Sequence, residues 1–66
     1  MPEGNVKWFS EKKGYGFIEN EEGSDIFFHK NAIVDHGFFG VQKNERVNYE
    51  IETTPKGPQA VRIRVI

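Results

Sequence analysis

Tyr15-Gly16-Phe17-Ile18-Glu19-Asn20 and, after a four-residue break, Asp25-Ile26-Phe27-Phe28-His29 decide how this chain folds. Both stretches are rich in aromatic and β-branched residues, which suit a pleated, half-buried strand. The break, Glu21-Glu22-Gly23-Ser24, is short and polar, with a glycine placed for positive φ. The two stretches therefore read as neighbouring strands, Tyr15–Asn20 and Asp25–His29, in a meander. Side chains alternate along a strand, so residues two apart share a face. Ile18 shares a face with Gly16, while Tyr15 and Phe17 share the other. Ile26 and Phe28 share one face, while Phe27 and His29 share the other. Both faces of both strands are apolar or aromatic, yet a small barrel has only one interior.

The flanking segments show which face goes inside. Strands are also expected at Asn5–Ser10, Arg46–Thr53 and Gln59–Val65. In Arg46–Thr53, Val47, Tyr49 and Ile51 alternate with Asn48, Glu50 and Glu52. In Gln59–Val65, Val61, Ile63 and Val65 alternate with Arg62 and Arg64. These two strands have one apolar face each, and it is largely aliphatic. Ile18 and Ile26 match it and are assigned to the interior. Tyr15, Phe17, Phe27 and His29 then point into solvent. Trp8 and Phe9 are adjacent, so strict alternation sends them to opposite faces; a bulge would bring both to one edge.

Glu11-Lys12-Lys13-Gly14 makes the first turn, and Lys56-Gly57-Pro58 punctuates the second half. The stretch from Lys30 to Glu45 is long and irregular, with one helical turn expected near Asn31-Ala32-Ile33-Val34. It carries Phe38 and Phe39 where loops are usually polar. Five short strands with one long connection between the third and fourth point to a small closed barrel. The 66 residues form one domain, 1–66, which buries only about 60% of its unfolded surface.

An exposed aromatic cluster on a small soluble chain needs a reason. One is a second core, with Ile33, Val34, Phe38 and Phe39 folded over the outer rings. The lysines and glycines interleaved with the rings fit that poorly. Rings beside lysines suit single-stranded nucleic acid: bases stack on the rings at about 1–3 kcal/mol each, and lysines meet the phosphates. Gly14 and Gly16 are expected to keep this surface flat and to let the strand backbone come close. The net charge of −1, from 9 basic and 10 acidic side chains, is unusual for such a binder. The distribution answers this, since Lys7, Lys12, Lys13 and Lys30 accompany the aromatic segments and the glutamates fall mainly elsewhere.

Taken together, the motifs are recognisable. Lys13-Gly14-Tyr15-Gly16-Phe17-Ile18 looks like an RNP1 motif and Ile26-Phe27-Phe28-His29 like its RNP2 partner. RNP1 comes first and no helical period is visible, which argues against an RRM. With Gly4-Asn5-Val6-Lys7-Trp8-Phe9 and Lys56-Gly57-Pro58-Gln59-Ala60, the chain from Met1 to Ile66 resembles the bacterial cold-shock proteins. The resemblance implies an all-β fold, a five-stranded antiparallel OB-type β-barrel. It also implies binding to single-stranded RNA and DNA with little sequence demand, as an RNA chaperone or transcript regulator. Its binding residues map onto Lys7, Trp8, Phe9, Lys13, Tyr15, Phe17, Asp25, Phe27, His29, Phe38 and Lys56. Four positions depart from the common pattern. Lys30 stands where an aromatic is common and is expected to contact phosphate. Phe39 replaces a common lysine, Phe28 a smaller aliphatic and Ser10 an asparagine.

Other chemistry finds little support. His29 and His36 have no cysteine and no carboxylate at ligand spacing, so no metal or cofactor is expected. Ser24-Asp25 lacks a nucleophile elbow. Gly14-Tyr15-Gly16 opens like a dinucleotide fingerprint, but its third glycine falls at Glu19 and no helix follows. The chain is expected to be a monomer and no enzyme. Without cysteine, a signal peptide or a membrane span, it is expected in the cytoplasm. The alternative function is a protein-interaction module that docks a proline-rich peptide on the same rings. Glu3 is expected to pair with Arg62 or Arg64, at about 1 kcal/mol or less.

Overall fold

A computed structural model describes residues 2–36 and 40–66. The expected Phe38 and Phe39 surface lies outside the described residues. The strands are β1 (Glu3–Ser10), β2 (Tyr15–Asn20), β3 (Asp25–His29), β4 (Ile33–Asp35), β5 (Arg46–Thr54) and β6 (Gly57–Val65), with a 3-10 turn at Lys30–Ala32 between β3 and β4. The sheet order is β3-β2-β1-β5-β6-β4, and a further pairing of β3 with β6 closes it. The staves are β1, β2, β3, β5 and β6, so the fold is the expected five-stranded OB-type barrel. β4 is a short addition that runs parallel to β6 from Ile33↔Ile63. The helical turn falls one residue earlier than expected, and Ile33 already belongs to a strand. Among the described residues no helix is long and apolar enough to cross a membrane.

The turns follow from local chemistry. Gly14 and Gly23 adopt φ of +83° and +87°, a region L side chains rarely enter. The Asn20 side-chain carbonyl accepts from the amides of Glu22 (3.0 Å) and Ser24 (2.9 Å), which holds the β2–β3 turn. The Ser10 hydroxyl accepts from the Lys13 amide at 3.2 Å in the β1–β2 turn.

The core comprises Val6, Ile18, Ile26, Phe28, Ile33, Val47, Tyr49, Ala60 and Ile63. Ile18 and Ile26 lie inside, as their match to the aliphatic faces requires. Phe28 is fully buried and stacks on Phe9, with centroids 5.5 Å apart and planes at 18°. Gly16 makes room for it: a Cβ there would approach Phe28 Cζ to 2.8 Å and Phe9 Cα to 2.9 Å. The nearest atom to such a Cβ is the Trp8 backbone carbonyl, so Gly16 lets β1 approach closely, as expected, and it clears space on the inner face rather than flattening the outer one.

Three further expectations are corrected. Ile51 is 46% exposed. β1 pairs with β5 only at Arg46–Asn48, so β5 has left the closed part of the barrel by residue 51. In β6 the buried residues are Ala60 and Ile63, while Val61 and Val65 are half-buried. A bulge between Asn48↔Arg64 and Glu50↔Val61, with Arg62 at φ +51°, shifts the phase of the strand. Lastly, Glu3 pairs with Arg46 at 3.2 Å, and Arg62 pairs with Glu50 at 2.8 Å. β1 lies beside β5, not β6, so Glu3 meets the cation that opens β5.

Candidate nucleic-acid interface

The site begins with a bulge in β1. The register runs Val6↔Ile18 and then Trp8↔Phe17, so Lys7 is the extra residue. Val6 points inward. Without the bulge Trp8 would follow it. With the bulge, Lys7 and Trp8 both face out and Phe9 turns in. The expected gathering of Trp8 and Phe9 on one edge is thereby corrected. Trp8 joins the outer rings at 39% exposure, while Phe9 is half-buried on Phe28.

β2 and β3 pair Tyr15↔His29 and Phe17↔Phe27, which sets their outward side chains opposite each other. The rings form a continuous row. Trp8 lies 5.3 Å from Tyr15 and 6.5 Å from Phe17. Tyr15 stacks on Phe27 at 5.5 Å with planes 3° apart. Phe17 meets Phe27 edge-on at 5.7 Å, and Phe27 meets His29 edge-on at 4.9 Å. Tyr15, Phe17 and Phe27 are half-buried against one another, and His29 is exposed. The edge-on contacts at Phe17 and His29 leave ring faces uncovered by that neighbour, and base stacking needs free faces.

Charges surround this row. Lys7 Nζ lies 3.1 Å from Asp25 Oδ2 and 3.3 Å from Oδ1. Both were expected site residues, but the sequence carried no sign that they pair, because the Lys7 bulge is what lets them meet. Lys13 and Lys30 are exposed, and the Lys30 amide donates to the Gly14 carbonyl at 3.0 Å. Phe27↔Gln59 is the paired position between β3 and β6. It sets Gln59 beside the ring row, on the strand that follows the turn carrying Lys56. Sequence spacing does not mark Gln59, since its neighbour lies on a strand distant in the chain.

Three other acidic side chains group away from the ring row, whereas Asp25 sits beside Lys7. Glu3, Glu21 and Glu22 line a groove of about 440 Å³ at the β2–β3 turn end, with Ile26, Tyr49 and Ile51. Arg46 bridges Glu3 and Glu21 there, at 3.2 and 2.8 Å. Burial, and then the charges of Glu21 and Glu22, raise the Tyr49 phenol above its ordinary value of 10.0. Among the described residues no three His, Asp or Glu side chains are grouped to hold a metal ion.

Residues 2–66 match the family described as the "Cold-shock" DNA-binding domain. The chain belongs to the cold-shock domain family. It is 48% identical, over the whole of both chains, to the probable cold shock protein A of Mycolicibacterium smegmatis. It is also 48% identical to a cold shock-like protein of Thermotoga maritima, with 96% of each chain covered. Among solved structures, the Drosophila Unr fragment CSD456 superposes with a TM-score of 0.80 at 24% identity. That match spans 98% of this chain and 26% of the fragment, and it supports the fold. A cold-shock domain is a nucleic-acid-binding module, and family membership does not favour the peptide-docking alternative.

Proposed function

We propose that this cold-shock domain binds single-stranded RNA and DNA with little sequence demand, as an RNA chaperone or as a regulator of transcription or translation. The supporting observation is the unbroken row Trp8, Tyr15, Phe17, Phe27 and His29, with each ring within 6.5 Å of the next. Bases stack on Trp8, Phe17, Phe27 and His29, and Tyr15 buttresses them. Phe38 belongs to the same reading. Lys7, Lys13, Lys30 and Lys56 meet phosphates. Asp25, held next to Lys7, accepts from a base edge. A base lying on a ring is withdrawn from hairpin stems, so binding itself loosens RNA structure and no catalysis is required. In this reading the domain acts as a monomer in the cytoplasm, and sedimentation of the free chain checks the oligomeric state.

Trp8 is the only tryptophan and reports directly on the surface. A short oligothymidine is expected to quench its fluorescence strongly, and the matching duplex to quench it far less. Absence of quenching by any single strand would reject the proposal.

A further inference from the structure

Strand β5 runs on past the point where β1 begins. The two pair only from Glu3↔Asn48 to Asn5↔Arg46, with one further bond from the Tyr49 amide to the Pro2 carbonyl at 3.1 Å. Alternate residues of a strand turn their backbone groups to the same side. Tyr49 faces β1, so the amides and carbonyls of Ile51 and Thr53 face the same way, beyond the reach of β1. No described strand pairs with β5 on that side there. A bare edge of this kind accepts a further strand.

The edge borders the groove of about 440 Å³ around the β2–β3 turn. Ile26 and Tyr49 line it from the core, and Ile51, 46% exposed, lines it from the edge itself. Tyr49 is only 1% exposed, yet burial and the charges of Glu21 and Glu22 act on its phenol and no hydrogen bond does. Its hydroxyl is a buried donor without a partner at the floor of the groove. The rim sets Glu3, Glu21 and Glu22 against one cation, Arg46, and Glu22 forms no ion pair among the described residues.

We propose that this edge and groove dock an extended, lysine- or arginine-bearing segment of a partner protein, which adds to β5 as a strand beside Ile51 and Thr53. Backbone bonds to the edge supply affinity, and the groove selects the side chains. Apolar side chains of the added strand lie over Ile51, and the Tyr49 hydroxyl gains an acceptor. Cations of the segment meet Glu21 and Glu22 across the groove. The excess of carboxylates repels a phosphate backbone, so the occupant is a protein. A second copy of this chain fits less well, because its own bare edge, Ile51-Glu52-Thr53, brings a carboxylate and no cation. None of Trp8, Tyr15, Phe17, Phe27 and His29 lines the groove, so the segment and a single strand occupy separate surfaces.

A fluorescein-labelled peptide of alternating lysine and valine, followed by fluorescence anisotropy, tests this. The native chain is expected to bind it. The Glu22→Lys variant is expected to bind it about three- to tenfold more weakly, the scale of one exposed charge reversed. Glu22 is exposed, and only its backbone amide serves the turn, so urea unfolding of the variant should match the native chain. The same peptide with N-methylated backbone amides keeps its charge and loses its strand bonds. It is expected to bind the native chain about tenfold more weakly. Amide exchange at Ile51 and Thr53 should slow when the unmethylated peptide binds. Absence of peptide binding overturns the proposal. So does equal affinity for the native chain and the variant, or for the two peptides. Protection of Ile51 and Thr53 that rises with protein concentration, without peptide, also overturns it, because the occupant is then a second copy.

Discussion

Phe27 and Phe28 are adjacent and chemically identical, and the pleat of β3 separates their roles. Phe28 is fully enclosed above Gly16. Phe27 is half-buried between Tyr15, Phe17 and His29. Alanine at the two positions should therefore give opposite phenotypes. Phe28→Ala should destabilise the fold by about 3–5 kcal/mol, because it empties a close-packed site. Urea unfolding measures that loss, which is a large share of a small domain's stability. Phe27→Ala should stay folded and weaken oligothymidine binding more than tenfold, about the contribution of one stacked base. If it instead unfolds the chain while the folded fraction binds normally, the ring belongs to the core. This division was legible in the sequence, because two apolar faces on one strand cannot both fit inside one barrel. The close backbone approach at Gly16 was legible as well, but the room it leaves for a ring was not. Its need for space comes from the Phe28 ring on the neighbouring strand, and no local pattern encodes that contact.

At the level of strands, the sequence was most informative where alternation is regular. β2 and β3 run over the expected residues, and β1, β5 and β6 differ from expectation only at their ends. It was least informative where one extra residue changes the phase. The bulge at Lys7 turns Trp8 out and Phe9 in, and the bulge at Arg62 moves burial from Val61 to Ala60. Period-two reading cannot locate such steps, since they arise from how two strands twist against each other. β5 also carries a pH-dependent element. Tyr49 keeps its proton more tightly in the folded chain than in the unfolded one, through burial and the nearby glutamates. The resulting stabilisation is complete below the ordinary value of 10.0 and is lost as pH rises through the higher folded value. Stability measured across the alkaline range should fall above that point. Tyr49→Phe should flatten the decline, and an unchanged slope would locate the titrating group elsewhere.

For the molecule as a whole, a net charge of −1 conceals local groupings of charge. Glu3, Glu21 and Glu22 edge one groove with Arg46 between two of them, while Lys7 stands on the ring-bearing side paired with Asp25, and Lys13 and Lys30 are exposed next to the ends of β2 and β3. Composition could not show this, because it depends on which turns the barrel brings together. The consequence appears in salt dependence. If four lysines each displace a counterion from a single strand, log affinity should fall against log salt with a slope of about −2.8. If Lys7 stays with Asp25 and only three engage, the slope should be about −2.1. A slope near zero would mean that the rings bind without phosphate contacts.

The barrel is joined between β3 and β6 at a single paired position, and one of its two residues is Phe27. On the proposed reading, the weld of the hoop is also a landing place for a base. A nucleotide resting on Phe27 braces the joint, so occupancy and hoop integrity are thermodynamically linked. Amide exchange at Phe27 and Gln59 should slow more on loading than exchange along β5, where no ligand touches the seam.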